Sequence, residues 1–234
     1  MKYIIEKEIF EKYPDLRVGI VVGKDLNIKK ENPELKELIN KNIQIFLNNM
    51  EGKELLSIPN IEAWRDAYKS FGVKPKKHKP TAEALLRRVI KGDPFPEINC
   101  AVDAYLAVEL LYLLPIGGYD LEKIEGDIKL RISNGQEIFF PLGNSEPEYT
   151  NEGEVIYADS SNVITRRWNY RDANHTKITE NSKQIILASE AVFKQITDDD
   201  LKGTIDKIIE YENIFCNGSY KKYFLDIKTQ EVEI

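Results

Sequence analysis

Between Val102 and Leu114 the chain reads VDAYLAVELLYLL, apolar at nearly every position, with charge only at Asp103 and Glu109. Residues of this kind in a helix leave no polar face, and such a helix is buried all round. The run is too short for a bilayer, which needs about 20 apolar residues. Asn99 stands where an N-cap side chain would accept an orphaned amide. Pro115 and the Gly117-Gly118 pair stop the helix and bring bare backbone to one fixed point in the core. Glycine there admits close approach by another backbone or a ligand. From this stretch alone, a core helix with an ordinary stop is the favoured account.

The remaining pattern divides by period. Residues 1–26 read as β structure, with Ile4-Ile5 followed by the β-branched run Leu16 to Gly23. Helical spacing follows Asn32-Pro33 up to Met50 and recurs from Ile61 to Phe71, where Trp64, Tyr68 and Phe71 share a face. Thr81 opens a third helix, TAEALLRRVIKGD, with Leu85, Leu86, Val89 and Ile90 inward and Arg87, Arg88 and Lys91 toward the rim. After Asp120 alternation takes over. Ile128–Ile132 and Glu137–Leu142 flank the turn residues Ser133 to Gln136 and predict a hairpin. Strands are predicted at 154–159 and 162–169, strand or short helix at 184–191, a helix at 197–213 and a last strand at 220–227. Helices gather in the first half and strands in the second, which predicts an α+β fold rather than βαβ repetition.

Composition changes this picture little. The 234 residues include 42% hydrophobic and 31% charged, ordinary values for a globular protein. The first residues, MKYIIEKEIFEKY, lack a signal-type apolar run, and no apolar segment reaches spanning length, so a cytoplasmic protein without a membrane partner is expected. Cys100 and Cys216 sit in no metal spacing and are expected as reduced thiols. A net charge of −6 argues against general, salt-driven binding to nucleic acid, DNA included. The positive charge is clustered, however, at Lys74, Lys76, Lys77, His78 and Lys79, then Arg87, Arg88 and Lys91. Such a run is a solvated face or a local docking face. Catalytic signatures are sparse: two histidines (His78, His175), no paired-cysteine or HxxxH metal spacing, no GxSxG elbow and no glycine-rich phosphate loop. Neither a metal nor a cofactor is expected. Arg131 and Glu137 face each other across the predicted hairpin, and TRRWNYRD (165–172) interleaves three arginines with two aromatics. That second pattern suits stacking on bases and bidentate phosphate contact. It suits equally an edge strand whose arginines pair with Asp159 and Asp172.

In order along the chain, WRDAY, GVKP, TAEALLRRVIKGD, INCAVDAY, LPIGGYD, GQE, GEVIYAD and RRWNYRD…TKIT resemble the B3/B4 domain of the phenylalanyl-tRNA synthetase beta subunit, and more closely its freestanding relatives. The resemblance implies a β-barrel-like or mixed-sheet core with flanking helices. It implies one domain over 1–234, with the shared motifs in 60–180, an N-terminal β/α extension in 1–60 and a C-terminal completion in 181–234. The implied activity is hydrolytic editing of mischarged tRNA in trans, with the aminoacylated 3′ end as partner. Pro115 is retained and Glu137 falls where the family has its pocket glutamate. Leu106 replaces an asparagine and Gly117 a histidine, so substrate preference does not transfer. On this reading Glu137, Gly117 and Gly118 are the catalytic candidates. Asn99, Asp103, Leu106, Pro115 and Arg131 shape the pocket, and Lys76, Lys77, Lys79, Arg87, Arg88, Arg166, Arg167 and Trp168 meet the tRNA. A non-catalytic module binding tRNA or an amino acid, and a small-molecule protein or hydrolase on the same fold, are the alternative expectations.

Overall fold

Two strands carry almost no polar face: β2 (Arg17–Lys24, RVGIVVGK) and β10 (Gln184–Ala191, QIILASEA). Strands of this composition are covered on both sides, and in the computed structural model, which describes residues 1–144 and 146–234, they form the middle of the molecule. They belong to a four-stranded sheet of order β11-β2-β10-β3, completed by β3 (Ile116–Asp120) and β11 (Ser219–Leu225). On one side lie the helices α2 (Pro33–Met50), α4 (Thr81–Ile90), α5 (Cys100–Tyr112) and α6 (Asp198–Cys216). On the other side lies a six-stranded mixed sheet of order β12-β1-β4-β7-β8-β9. Its members are β1 (Lys2–Ile5), β4 (Ile128–Asn134), β7 (Glu152–Ala158), β8 (Val163–Arg166), β9 (Arg171–Asp172) and β12 (Glu231–Glu233). The helix α1 (Lys7–Lys12) and α3 (Pro59–Ser70) plug the ends of the inter-sheet core with Ile9, Phe10, Trp64 and Tyr68. The fold is therefore α+β with a mixed sheet. Among the described residues the sheets stay open and no barrel closes.

Helix α5 is buried on every side, and Asn99 caps it, its Oδ1 accepting Val102 N–H at 3.1 Å. Its end is made by Leu113, left-handed at φ 58°, ahead of Pro115. The glycines beyond form no loop: they are part of β3. Thr81 is the first residue of α4 rather than its cap. The chain between β1 and β2, expected as continuous β structure, contains α1, whose single turn and a half is too short to show a helical period. The predicted hairpin of 128–132 with 137–142 does not form. Strand β4 pairs instead with β1 and β7, and β5 (Ile138–Phe139) pairs with β6 (Glu148–Tyr149). Both cysteines are free and buried, and no described helix is long and apolar enough to cross a membrane.

Candidate functional site

Between the two sheets the packing leaves a chamber of about 300 Å³. Strand alternation decides what enters it. Gly117 stands opposite Ala188 and Tyr119 opposite Ile186, so both face the inter-sheet side together with Glu190. Gly118 stands opposite Leu187 and faces the helices. A Cβ on Gly117 would meet nothing within 4 Å, whereas one on Gly118 would meet Leu187 Cδ2 at 2.3 Å. Asp120 N–H reaches outward to Thr176 O at 2.9 Å. By the two-residue rhythm of an antiparallel ladder, the Gly117 amide is then turned toward β10, away from the chamber. The two glycines thus do not present a pair of free amides, but Gly117 does leave open space.

The polar groups of the chamber come from five strands, β3, β7, β8, β9 and β10, and a turn. Glu190 accepts a hydrogen bond from Tyr157 Oη at 2.5 Å. Burial pushes its carboxyl up to about 7, against the pull of Tyr157, Asn169 and Trp168, with Asp172 pushing further upward. Trp168 Nε1 and Asn169 Nδ2 stop short of hydrogen-bonding geometry and have no partner among the described residues. Asp172 accepts from Thr165 Oγ1 at 2.6 Å, and burial raises it to about 6. The Thr165 proton being used there, Tyr119 Oη is the donor in its 2.6 Å contact with Thr165. Tyr105, Leu106 and Thr81 complete the wall toward the helices. The turn Arg167–Tyr170 that joins β8 to β9 holds Arg167 and Trp168 both left-handed, at φ 50° and 66°. Strained non-glycine backbone of this kind persists only where the surroundings enforce it. Here the Trp168 ring packs against Tyr13 and Trp64, with centroids 4.7 and 5.1 Å away.

The other expected site residues fall elsewhere. Glu137 is not part of the chamber. Its carboxylate is gripped by Arg131, with one bond of 3.0 Å, and accepts from Ser133 Oγ at 2.6 Å. Burial raises its carboxyl, and the bonds to Arg131 and Ser133 outweigh that effect and hold it below the usual range. Arg131 stands opposite Ile156 on the outer face of the six-stranded sheet, one residue out of phase with Leu130 and Tyr157, which face inward. Asn99 is spent on its cap and on Ile178 O at 3.1 Å. Asp103 accepts from Ile98 N–H at 2.9 Å beside a separate cleft against α2. Pro115 is buried short of the chamber, and Leu106 alone of the expected pocket residues lines it.

The basic candidates separate as well. Arg166 is buried: Nε and Nη2 donate to Glu154 and Nη1 to Glu148, each at 2.8 Å. Its partners are these glutamates, not Asp159 or Asp172. Arg167 is buried over the Tyr170 ring at 5.2 Å, and Trp168 is core. These three are removed from any exposed binding face. Lys76, Lys77 and Arg88 are exposed, and Lys79 and Arg87 half-buried. Lys79, Arg87, Arg88 and Lys91 line a groove of about 420 Å³ that shares Thr81 and Leu106 with the chamber. Sequence reading missed Glu190 and gave Asp172 only a structural part. The signal for Glu190 was a lone acid inside the apolar run IILASEA. Among the described residues no metal-ligating cluster occurs.

The B3/4 domain family model matches residues 63–203, more than half of the chain. Among solved structures, the N-terminal fragment of the phenylalanyl-tRNA synthetase beta subunit from Pyrococcus horikoshii aligns at 13% identity and a TM-score of 0.47. That alignment covers 94% of this chain and 49% of the synthetase fragment, so the chain spans about half the length of that relative. No curated protein matches significantly. The chain belongs to the B3/4 domain family.

Proposed function

We propose that the protein hydrolyses the ester between an amino acid and the 3′ end of tRNA, acting in trans on mischarged tRNA. The observation that carries the reading is that Thr81 and Leu106 line both the small chamber and a groove bearing Lys79, Arg87, Arg88 and Lys91. Such a pair of spaces suits a phosphate backbone in the groove and an aminoacyl group in the chamber. Asp172 is the group placed to take a proton from water, since a carboxyl near 6 is ionised at neutral pH and still basic enough to work. Thr165 and Tyr119 hold it in place. Water then attacks the ester carbonyl carbon, the bond to the ribose oxygen breaks, and the proton passes to that oxygen with help from the neighbouring ribose hydroxyl. Positioning supplies much of the acceleration, because an aminoacyl ester is already activated. Gly117 leaves room for the ester, and Glu137 takes no part at the reacting atoms.

A second reading, a module that binds the aminoacyl end without cleaving it, is favoured by one feature. Among the described residues that line the chamber there is no histidine, cysteine or serine. A panel of aminoacyl-tRNAs incubated with purified protein separates the two. Release of any amino acid, lost in Asp172→Asn, supports hydrolysis. Retention with binding supports the module, and the absence of both turnover and tRNA binding overturns both.

A further inference from the structure

We infer that the chamber is built for an aminoacyl group whose side chain carries a positive charge, its ammonium or guanidinium seated on Glu190. The ester-bound form of that ligand rests on the reading proposed above; the preference for charge is independent of it.

Two carboxylates, Asp172 and Glu190, line one chamber, and neither has a lysine, arginine or histidine within ion-pairing distance among the described residues. Each uses one oxygen on a hydroxyl, Thr165 for Asp172 and Tyr157 for Glu190. Among the described residues the second oxygen of Asp172 has no hydrogen bond within the protein, and Glu190 is otherwise approached by the Trp168 and Asn169 N–H groups, which stop short of hydrogen-bonding geometry. Buried acids are ordinarily paired or kept neutral. The α-ammonium that every aminoacyl group carries can answer one of the two acids; an uncharged side chain leaves the other uncompensated, whereas a cationic side chain completes it.

The walls agree. Tyr105, Tyr119, Tyr157, Trp168 and Tyr170 supply aromatic surface, and cations are drawn to such faces. The protein already uses one of these rings in that way, with the Arg167 and Arg171 guanidinium carbons 5.2 and 5.9 Å from the Tyr170 centroid. Arg171 is the cation among the described lining residues, and it is exposed at the rim rather than turned onto either acid. A space of about 300 Å³ accommodates an amino acid of lysine or arginine size.

The rival is a protonated Glu190 that donates to a hydroxyl on a neutral side chain, and pH tells the two apart. The groups that face Glu190 are Tyr157 from β7, Tyr119 from β3, Tyr3 from β1, Tyr68 from α3, Asp172 from β9, and Trp168 with Asn169 from the turn. None of these is a cation. The tyrosines are raised by burial and stay neutral, so Asp172 and Glu190 are the groups that ionise here near neutral pH. A cationic ligand therefore binds more tightly as pH rises from 5.5 to 7, and a hydroxyl ligand that needs the protonated acid binds more tightly as pH falls.

Titration calorimetry on the full chain provides the test, with lysinamide against norleucinamide and argininamide against citrullinamide. Each dibasic amide is expected to bind at least about tenfold more tightly than its neutral counterpart, and more tightly at pH 7 than at 5.5. Glu190→Gln, checked for an unchanged circular dichroism spectrum, is expected to abolish the difference. Equal binding of a neutral counterpart, tighter binding at the lower pH, or no binding of either dibasic amide overturns the inference. The comparison on the unaltered protein does not depend on the variant's folding. Selective binding of the dibasic amides without hydrolysis of any aminoacyl-tRNA would sink the deacylase reading and leave the charge preference standing.

Discussion

At the scale of single residues, the acids of this protein sort by whether the fold gives them a cation. Glu154 is as buried as Glu190, yet Arg166 grips it through two bonds of 2.8 Å and its carboxyl is held below the usual range, the bonds outweighing burial. Removing one member of such a pair leaves the other charge buried and alone, so Arg166→Met is expected to lose about 3–5 kcal/mol in urea unfolding. Glu190 lacks such a partner and is pushed from 4.5 to about 7. For an acid raised in this way, the native state keeps a proton that the unfolded chain has lost. Stability therefore falls as pH rises from about 4.5 through 7, by roughly 3 kcal/mol for the whole shift. Glu190→Gln keeps an acceptor for Tyr157 and removes the titration. Its stability is expected to fall less between pH 5 and pH 8 than the unaltered protein's, the remaining fall coming from Asp172 and Asp103, and to exceed the unaltered protein's at pH 8, as read from urea midpoints at the two pH values. A residue kept for structure would lose stability on replacement. A gain combined with lost ligand binding marks one kept for function.

At the scale of elements, neighbouring glycines on β3 have opposite duties because a strand turns successive residues to opposite faces. Gly118→Ala would drive a Cβ onto Leu187 Cδ2 and to 3.1 Å from Ile186 O. It is expected to lose about 1–3 kcal/mol, as overpacking does. Gly117→Ala meets nothing and is expected to leave the melting temperature unchanged, while Gly117→Phe fills the chamber and abolishes ligand binding measured by calorimetry. Sequence reading placed both glycines at the site because it took LPIGG as a corner; it could not know that β10, about 70 residues on, would draw them into a sheet. The same limit explains the missed hairpin. Turn residues at 133–136 are local and were legible, but the partners of β4 are β1 and β7, chosen by the inter-sheet core through Leu130 opposite Tyr157. Helix α5, by contrast, announced itself fully, since its cap and its unbroken apolar surface are local properties. The arginines of TRRWNYRD looked exposed because the acids that bury Arg166 lie 12 and 18 residues back, on β7 and β6.

At the scale of the molecule, charge is arranged so that a protein with net charge −6 still presents a basic path. Lys79, Arg87, Arg88 and Lys91, with the single acid Asp93 beside them, line the groove that shares Thr81 and Leu106 with the chamber, while Glu190 is buried and Asp172 half-buried between the sheets. An anionic polymer would be steered to the groove by local charge and repelled from most of the remaining surface, which favours one docking geometry over general adhesion. If tRNA binds here, each phosphate neutralised by the groove should add to the dependence on salt, by about 0.7 in the slope of log K against log salt for a single-stranded 3′ end. Replacing Lys79 and Lys91 together by glutamate leaves the core untouched. It is expected to weaken tRNA binding in filter assays and to flatten the salt slope by more than one. Lys76→Glu, on an exposed side chain outside the groove, should change the slope little. Both variants are expected to bind the small amides of the chamber as the unaltered protein does, because the acids that seat those ligands lie beyond the junction at Thr81 and Leu106. A loss of amide binding in the double variant would mean that groove and chamber are one charged space, and the division of labour between backbone and aminoacyl group would have to be abandoned.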